Sequence, residues 1–99
     1  MIKHIVLFQF KKDADSEAHK RLIQEIKKSL ENLKGIVPEL KYIETALNNN
    51  PNESYDLSLI SEFASWDDLK TYNLHPEHQK VLQIIRQNLL QRACVDYEF

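Results

Sequence analysis

The spacing of apolar residues divides this chain into strand-like and helix-like segments. Ile2 to Phe10 is dense in Ile, Val, Leu and Phe with few polar interruptions, the pattern of a strand covered to some degree on both faces. Lys11 to Ser16 is polar, and Asp15 or Ser16 is placed to cap a helix. Leu22, Ile23, Ile26, Leu30 and Leu33 then recur at spacings of three and four, which predicts a long amphipathic helix ending near Gly35. Pro38 opens an extended segment to about Leu47, and Asn48-Asn49-Asn50-Pro51-Asn52 is a loop by composition. Tyr55 to Phe63 alternates as a third strand. Ser65, with Asp68 where a capping box usually has Glu, starts a short helix carrying Trp66, Leu69 and Tyr72. A second helical piece runs from Pro76 to about Leu90, and Arg92 to Phe99 is the fourth strand.

The order βαββαβ predicts an α+β, ferredoxin-like protomer over residues 1–99: one domain, with an antiparallel four-stranded sheet and its helices on one face. Alternation puts His4, Val6 and Phe8 on one side of the first strand and Lys3, Ile5 and Leu7 on the other. The last strand splits in the same way into Cys94 and Asp96 against Val95, Tyr97 and Phe99. If Ile5, Leu7, Ile60, Val95, Tyr97 and Phe99 share the helix-free face, they form an apolar patch large enough to predict an interface. Two such sheets packed face to face make a homodimeric α/β barrel.

Composition narrows the partners. With only 99 residues, the chain leaves much of its surface in water, so a second subunit would help it bury more. The net charge of -2, with acids and bases interspersed, gives no basic footprint, so neither nucleic acid nor a membrane surface is an expected partner. No apolar run approaches the roughly 20 residues that span a bilayer, and the apolar start is short, carries Lys3 and His4 inside it and is followed by no small-residue cleavage pattern, so a strand is expected there and not a signal peptide. Cys94 is the sole cysteine, which rules out an internal disulfide and fits a reducing, cytoplasmic setting. Gly35 is the sole glycine, so there is no glycine-rich phosphate loop, and no cofactor is expected.

The candidate chemistry lies in Tyr72-Asn73-Leu74-His75-Pro76-Glu77-His78. Proline at the first helical position makes His75 the N-cap and puts His78 in the first turn, where the helix dipole disfavours a protonated imidazole. His78 also begins the face His78, Leu82, Ile85, Leu89, which is expected to point toward the sheet. A metal site from His75 and His78 with His4, Cys94 or Asp96 is not expected, because the spacing is common and an N-cap side chain turns toward the backbone. Cys94 has no basic neighbour to activate it as a nucleophile and reads as a small buried residue.

Ile2-Lys3-His4-Ile5-Val6-Leu7-Phe8, Gly35-Ile36-Val37-Pro38, Tyr55-Asp56-Leu57, Ser61-Glu62-Phe63, His75-Pro76-Glu77-His78-Gln79-Lys80-Val81 and Val95-Asp96-Tyr97 together resemble the stress-responsive dimeric α/β barrel (Dabb) family. The resemblance covers essentially the whole chain and implies a protomer that dimerises through its sheet. A plant polyketide cyclase of this family uses a tyrosine and a histidine that fall on Tyr72 and His78. The resemblance further implies a substrate-binding pocket that includes His4, His75 and Asp96, with Val6 and Phe8 on the same face as His4. Leu57 stands in this pocket where the cyclase has another histidine, and Ile26 stands near its helix-one tyrosine, which implies a less polar, differently shaped space.

In such a pocket Asp96 would fix the tautomer of His78, and His78 would act as general base on a carbon acid beside a carbonyl. Tyr72 would donate a hydrogen bond to the enolate oxygen. Each residue also has a plain structural reading: Tyr72 as a partly buried aromatic, Asp96 as a strand-end residue on a neighbouring amide, His4 as a satisfied core histidine. The expectation is a small apolar pocket that binds or transforms a small carbonyl compound, in the manner of a cyclase or lyase. The competing class is a non-catalytic, stress-related dimer whose cavity is packed or holds a ligand, with Leu22, Ile26, Phe8 and Leu57 filling the space. A haem or quinone-type monooxygenase ranks below both.

Overall fold

The computed structural model describes residues 1–99. Its elements are β1 (Ile2–Phe10), α1 (Ser16–Asn32), β2 (Tyr42–Leu47), β3 (Leu57–Phe63), α2 (Trp66–Leu74), α3 (Pro76–Asn88) and β4 (Leu89–Glu98). The sheet has the order β2-β3-β1-β4 with every neighbouring pair antiparallel, the ferredoxin-like α+β arrangement that the element order predicts.

Alternation along β1 and β3 sets the inner face. Ile2, His4, Val6, Phe8 and Phe10 are buried together with Leu57, Leu59, Ser61 and Phe63, while the residues between them are half-buried. Onto this face α1 lays Ile23, Ile26 and Leu30, one per turn, and Leu33 continues the stripe. Asp15 caps α1 by accepting from the Glu17 and Ala18 amides at 3.0 and 3.3 Å. Helix α2 adds Leu69 and Tyr72, and α3 adds His78, Val81 and Ile85.

Several boundaries differ from the sequence reading, among them the start of β3, at Leu57 rather than Tyr55. Helix α1 does not end on a left-handed glycine: it tightens into a 3-10 turn over Leu33–Gly35, and Gly35 has no positive φ. The extended segment begins at Tyr42 rather than at Pro38, because the Leu40 amide closes a turn onto the Val37 carbonyl. The last strand begins at Leu89, three residues early, because Leu89 is already extended and pairs with Phe10 beside an irregularity at Gln9/Phe10.

The register fixes the opposite face. Lys3 lies opposite Tyr97, Ile5 opposite both Ile60 and Val95, and Leu7 opposite Ala93, so Ile5, Leu7, Ile60, Val95 and Tyr97 do share the helix-free side. Val95 and Tyr97 are exposed there, and Phe99 beyond them is exposed too, lying under the Lys3 ammonium at 4.6 Å. No helix is long and apolar enough to cross a membrane.

Candidate functional site

The joint between α2 and α3 is built around His75. The residue before a proline is pushed out of the helical region, and His75 sits at φ −61°, ψ 134°. Its amide donates to the Tyr72 carbonyl at 3.2 Å, ending α2, and its Nδ1 accepts from the Glu77 amide at 3.1 Å, starting α3. His75 is thus the N-cap, as the sequence implies, and its side chain is committed to the backbone.

One turn later, the buried His78 donates from Nδ1 to the Asn73 carbonyl at 3.2 Å. A carbonyl can only accept, so the neutral ring carries its proton on Nδ1, and Nε2 keeps a lone pair with no partner in the protein. Burial holds the imidazole below its ordinary pKa, and nearby His4, Arg86 and His75 push the same way against the Asn73 hydrogen bond. His78 is therefore a neutral group able to accept a proton near pH 7.

A cavity of about 420 Å³ opens beside it, between the inner face of the sheet and the helices. Val6, Phe8, Leu59 and Leu89 form its sheet wall, and Leu30, Leu82 and Ile85 its helical wall. His4, Asn73, His78, Gln79, Arg86 and Arg92 supply polar atoms. The volume is that of a small-molecule site.

Tyr72 lies behind His78 and not in the cavity lining. Its ring is packed between Phe63 and His78 at centroid distances of 5.0 and 4.2 Å, and it has no exposed surface. The hydroxyl is buried with no hydrogen-bond partner, and burial raises its pKa well above the usual tyrosine value. The Ser61 hydroxyl is likewise buried and unpartnered. A buried orphan hydroxyl costs about 1–3 kcal/mol, so both are unusual expenses in a small core.

Across β1 and β4, His4 and Asp96 face each other and are joined by a short hydrogen bond between His4 Nδ1 and Asp96 Oδ1. The Cys94 thiol lies 3.7 Å from that nitrogen and 3.5 Å from the carboxylate, and burial followed by Asp96 raises its pKa. This environment suppresses a thiolate. Cys94 is nonetheless exposed, which corrects the expectation of a buried cysteine: β4 is an edge strand, with a neighbour on one side alone.

The sequence pattern of the family described as stress responsive A/B barrel domain matches residues 2–99. The chain belongs to that family. Among solved structures, a dimeric ferredoxin-like protein of unknown function from Bacteroides fragilis is 40% identical, with a TM-score of 0.92 over 99% of this chain and 95% of that one. A hydroxynitrile lyase from Passiflora edulis is 19% identical, with a TM-score of 0.82 over 97% of this chain and 90% of the lyase, a likeness of fold. An Arabidopsis thaliana protein is 24% identical with a TM-score of 0.80, over 100% and 95% of the two chains. No curated protein matches this chain.

Within this stress responsive barrel fold, the expected site residues separate into groups. His4, Val6, Phe8 and His78 meet at the cavity, and the expected face His78, Leu82, Ile85, Leu89 lines it throughout. Leu57 does not reach it: this residue is buried at the far end of β3, opposite Phe8 and Leu47, and the cavity is lined instead by Leu59 one pleat along. Nor does Asp96 orient His78, because the register delivers its carboxylate to His4. Of Leu22, Ile26, Phe8 and Leu57, the residues expected to fill the space in the competing reading, Phe8 lines the cavity and the other three are not in its lining. Arg86, Arg92, Asn73, Gln79 and the Ser61 hydroxyl were not foreseen. Arg86 was within reach, since it stands eight residues after His78 on the same side of a helix.

Proposed function

We propose that this protein is a homodimer, joined through its helix-free sheet faces, whose cavity binds a small apolar carbonyl compound and removes a proton beside the carbonyl. The observation that carries this reading is the His78 imidazole: Nδ1 is tied to the Asn73 carbonyl, which leaves Nε2 as a free base in a ring that lines the cavity. Nε2 takes the proton, and the electron pair of the broken C–H bond moves onto the carbonyl oxygen as an enolate. The enolate carbon then attacks a second carbonyl, as in a cyclase, or expels a leaving group, as in a lyase. Tyr72 is the hydrogen-bond donor for the enolate oxygen. Its hydroxyl has no other acceptor, and contact with substrate requires a side-chain shift in the wall beside His78. The dimer is supported by exposed Val95, Tyr97 and Phe99 on the free face and by the dimeric Bacteroides fragilis relative. A stress-linked role rests on the family description, and a cytoplasmic setting on the single cysteine.

A second reading, a dimer that binds the same ligand without turning it over, is favoured by one fact: the Tyr72 hydroxyl is sealed from the cavity. Deuterium exchange separates the two. In heavy water, the wild type should speed deuterium incorporation beside the carbonyl of 2-octanone, followed by proton NMR. His78→Gln should abolish the effect, and Tyr72→Phe should lower it by about tenfold or more. Binding of the ketone without accelerated exchange would establish the binding-only reading.

A further inference from the structure

The cavity walls carry an imbalance of charge. Of the residues that line it, Arg86 and Arg92 are cationic and none is an aspartate or glutamate. The chain as a whole has a net charge of -2, so the cavity departs in sign from the molecule around it. Every ion pair in the structure uses a lysine or His4, and neither arginine takes part in one. The two guanidinium groups come from different elements, Arg86 from α3 and Arg92 from the inner-facing side of β4 opposite Phe8, yet they line one space. Both residues are exposed, so their heads stay hydrated while they edge the apolar interior.

We infer that the ligand is an apolar monocarboxylate bearing a carbonyl, an oxo acid, whose carboxylate is held by Arg86 and Arg92 while its hydrocarbon body lies against Phe8, Leu59 and Leu82. A guanidinium presents a planar pair of N–H donors that matches the two oxygens of a carboxylate. The cavity lies on the helix side of the sheet, opposite the face proposed above for the dimer contact. Arg86 also has a second effect, since its charge helps to hold His78 neutral. Binding of a carboxylate offsets that charge, so the acid recognised by the arginines strengthens the base beside it.

This inference rests on the cavity being the ligand site proposed above, and its test does not depend on catalysis. Calorimetric titration with octanoate and with 1-octanol compares the same chain with and without the anion. The wild type should prefer octanoate by about tenfold or more, the scale of one charge-assisted pair. The preference should shrink as salt is raised. Arg86→Gln with Arg92→Gln should erase it, and because both side chains are exposed and outside any ion pair, circular dichroism should show the fold retained. Charge reversal at the same positions should turn the preference toward octylamine. His78→Gln should keep octanoate binding while losing deuterium exchange, so the base and the anion site fail separately. Equal affinity for octanoate and octanol, or a preference that survives removal of both arginines, overturns the inference.

Discussion

Asp96 is bonded to His4 and not to His78. The group that fixes the His78 ring is consequently a backbone carbonyl, that of Asn73, set by the break between α2 and α3. Asp96→Asn should therefore lower stability by about 1–2 kcal/mol, the value of a charge-assisted hydrogen bond discounted for a carboxylate about a third exposed. It should leave the protonation and tautomer of His78 unchanged. Urea unfolding reads the first outcome and nitrogen-15 NMR of the imidazoles the second. A shifted His78 spectrum in this variant would restore Asp96 to a direct role at the base.

The direction of the His78 shift sets a pH dependence. Folding lowers the pKa of this imidazole, so between its unfolded value, about 6.5, and its lower folded value the unfolded chain binds more protons. Stability is then fully present above about pH 6.5 and falls as the solution is acidified through that window. His78→Gln should flatten this part of the urea-midpoint profile. Exchange activity should persist below pH 6.5 for the same reason, and an acid limb above that value would contradict a neutral base.

Tyr72 separates packing from polarity. Tyr72→Ala removes a fully buried ring and should cost about 3–5 kcal/mol. Tyr72→Phe removes only an orphan hydroxyl and should be neutral or stabilising by about 1 kcal/mol. Thermal unfolding of the two variants checks the contrast. A loss on Tyr72→Phe would mean that the hydroxyl has a partner.

Much of this architecture was legible because it depends on short-range pattern. The periods of Ile2 to Phe10 and of Ile23, Ile26 and Leu30 identify faces, and His75-Pro76 identifies a helix start, since each depends on neighbours a few residues away. What was not legible depends on register and on how far an element reaches. Asp96 meets His4 because of the β1–β4 register, a pairing between residues 92 apart. Leu57 and Leu59 share a face, and only the placement of the helices over the sheet decides which one meets the cavity. The arginines are not legible as cavity residues because a charged head hides, in the pattern, a stem that lies along an apolar face.

His75 offers a local test. Its Nδ1 caps α3, so His75→Ala should cost about 0.5–2 kcal/mol, and His75→Ser should recover most of that by supplying another acceptor. Chemical denaturation of the pair checks this. Equal losses would show that Pro76, and not the cap, holds the joint.

The free face yields a prediction about assembly. Val95→Asp with Tyr97→Asp places two charges on exposed β4 positions away from the cavity, and should convert the dimer to a monomer in analytical ultracentrifugation. An unchanged mass would place the contact elsewhere.

Strand β4 carries two jobs on one pleat. Arg92, Cys94 and Asp96 look toward the helices, while Ala93, Val95 and Tyr97 look away from them. Inserting or deleting a single residue there exchanges the two sets, turning charged groups outward and apolar ones inward. The strand can therefore drift by substitution but not by length, and its residue count constrains the fold as much as the identity of any side chain on it.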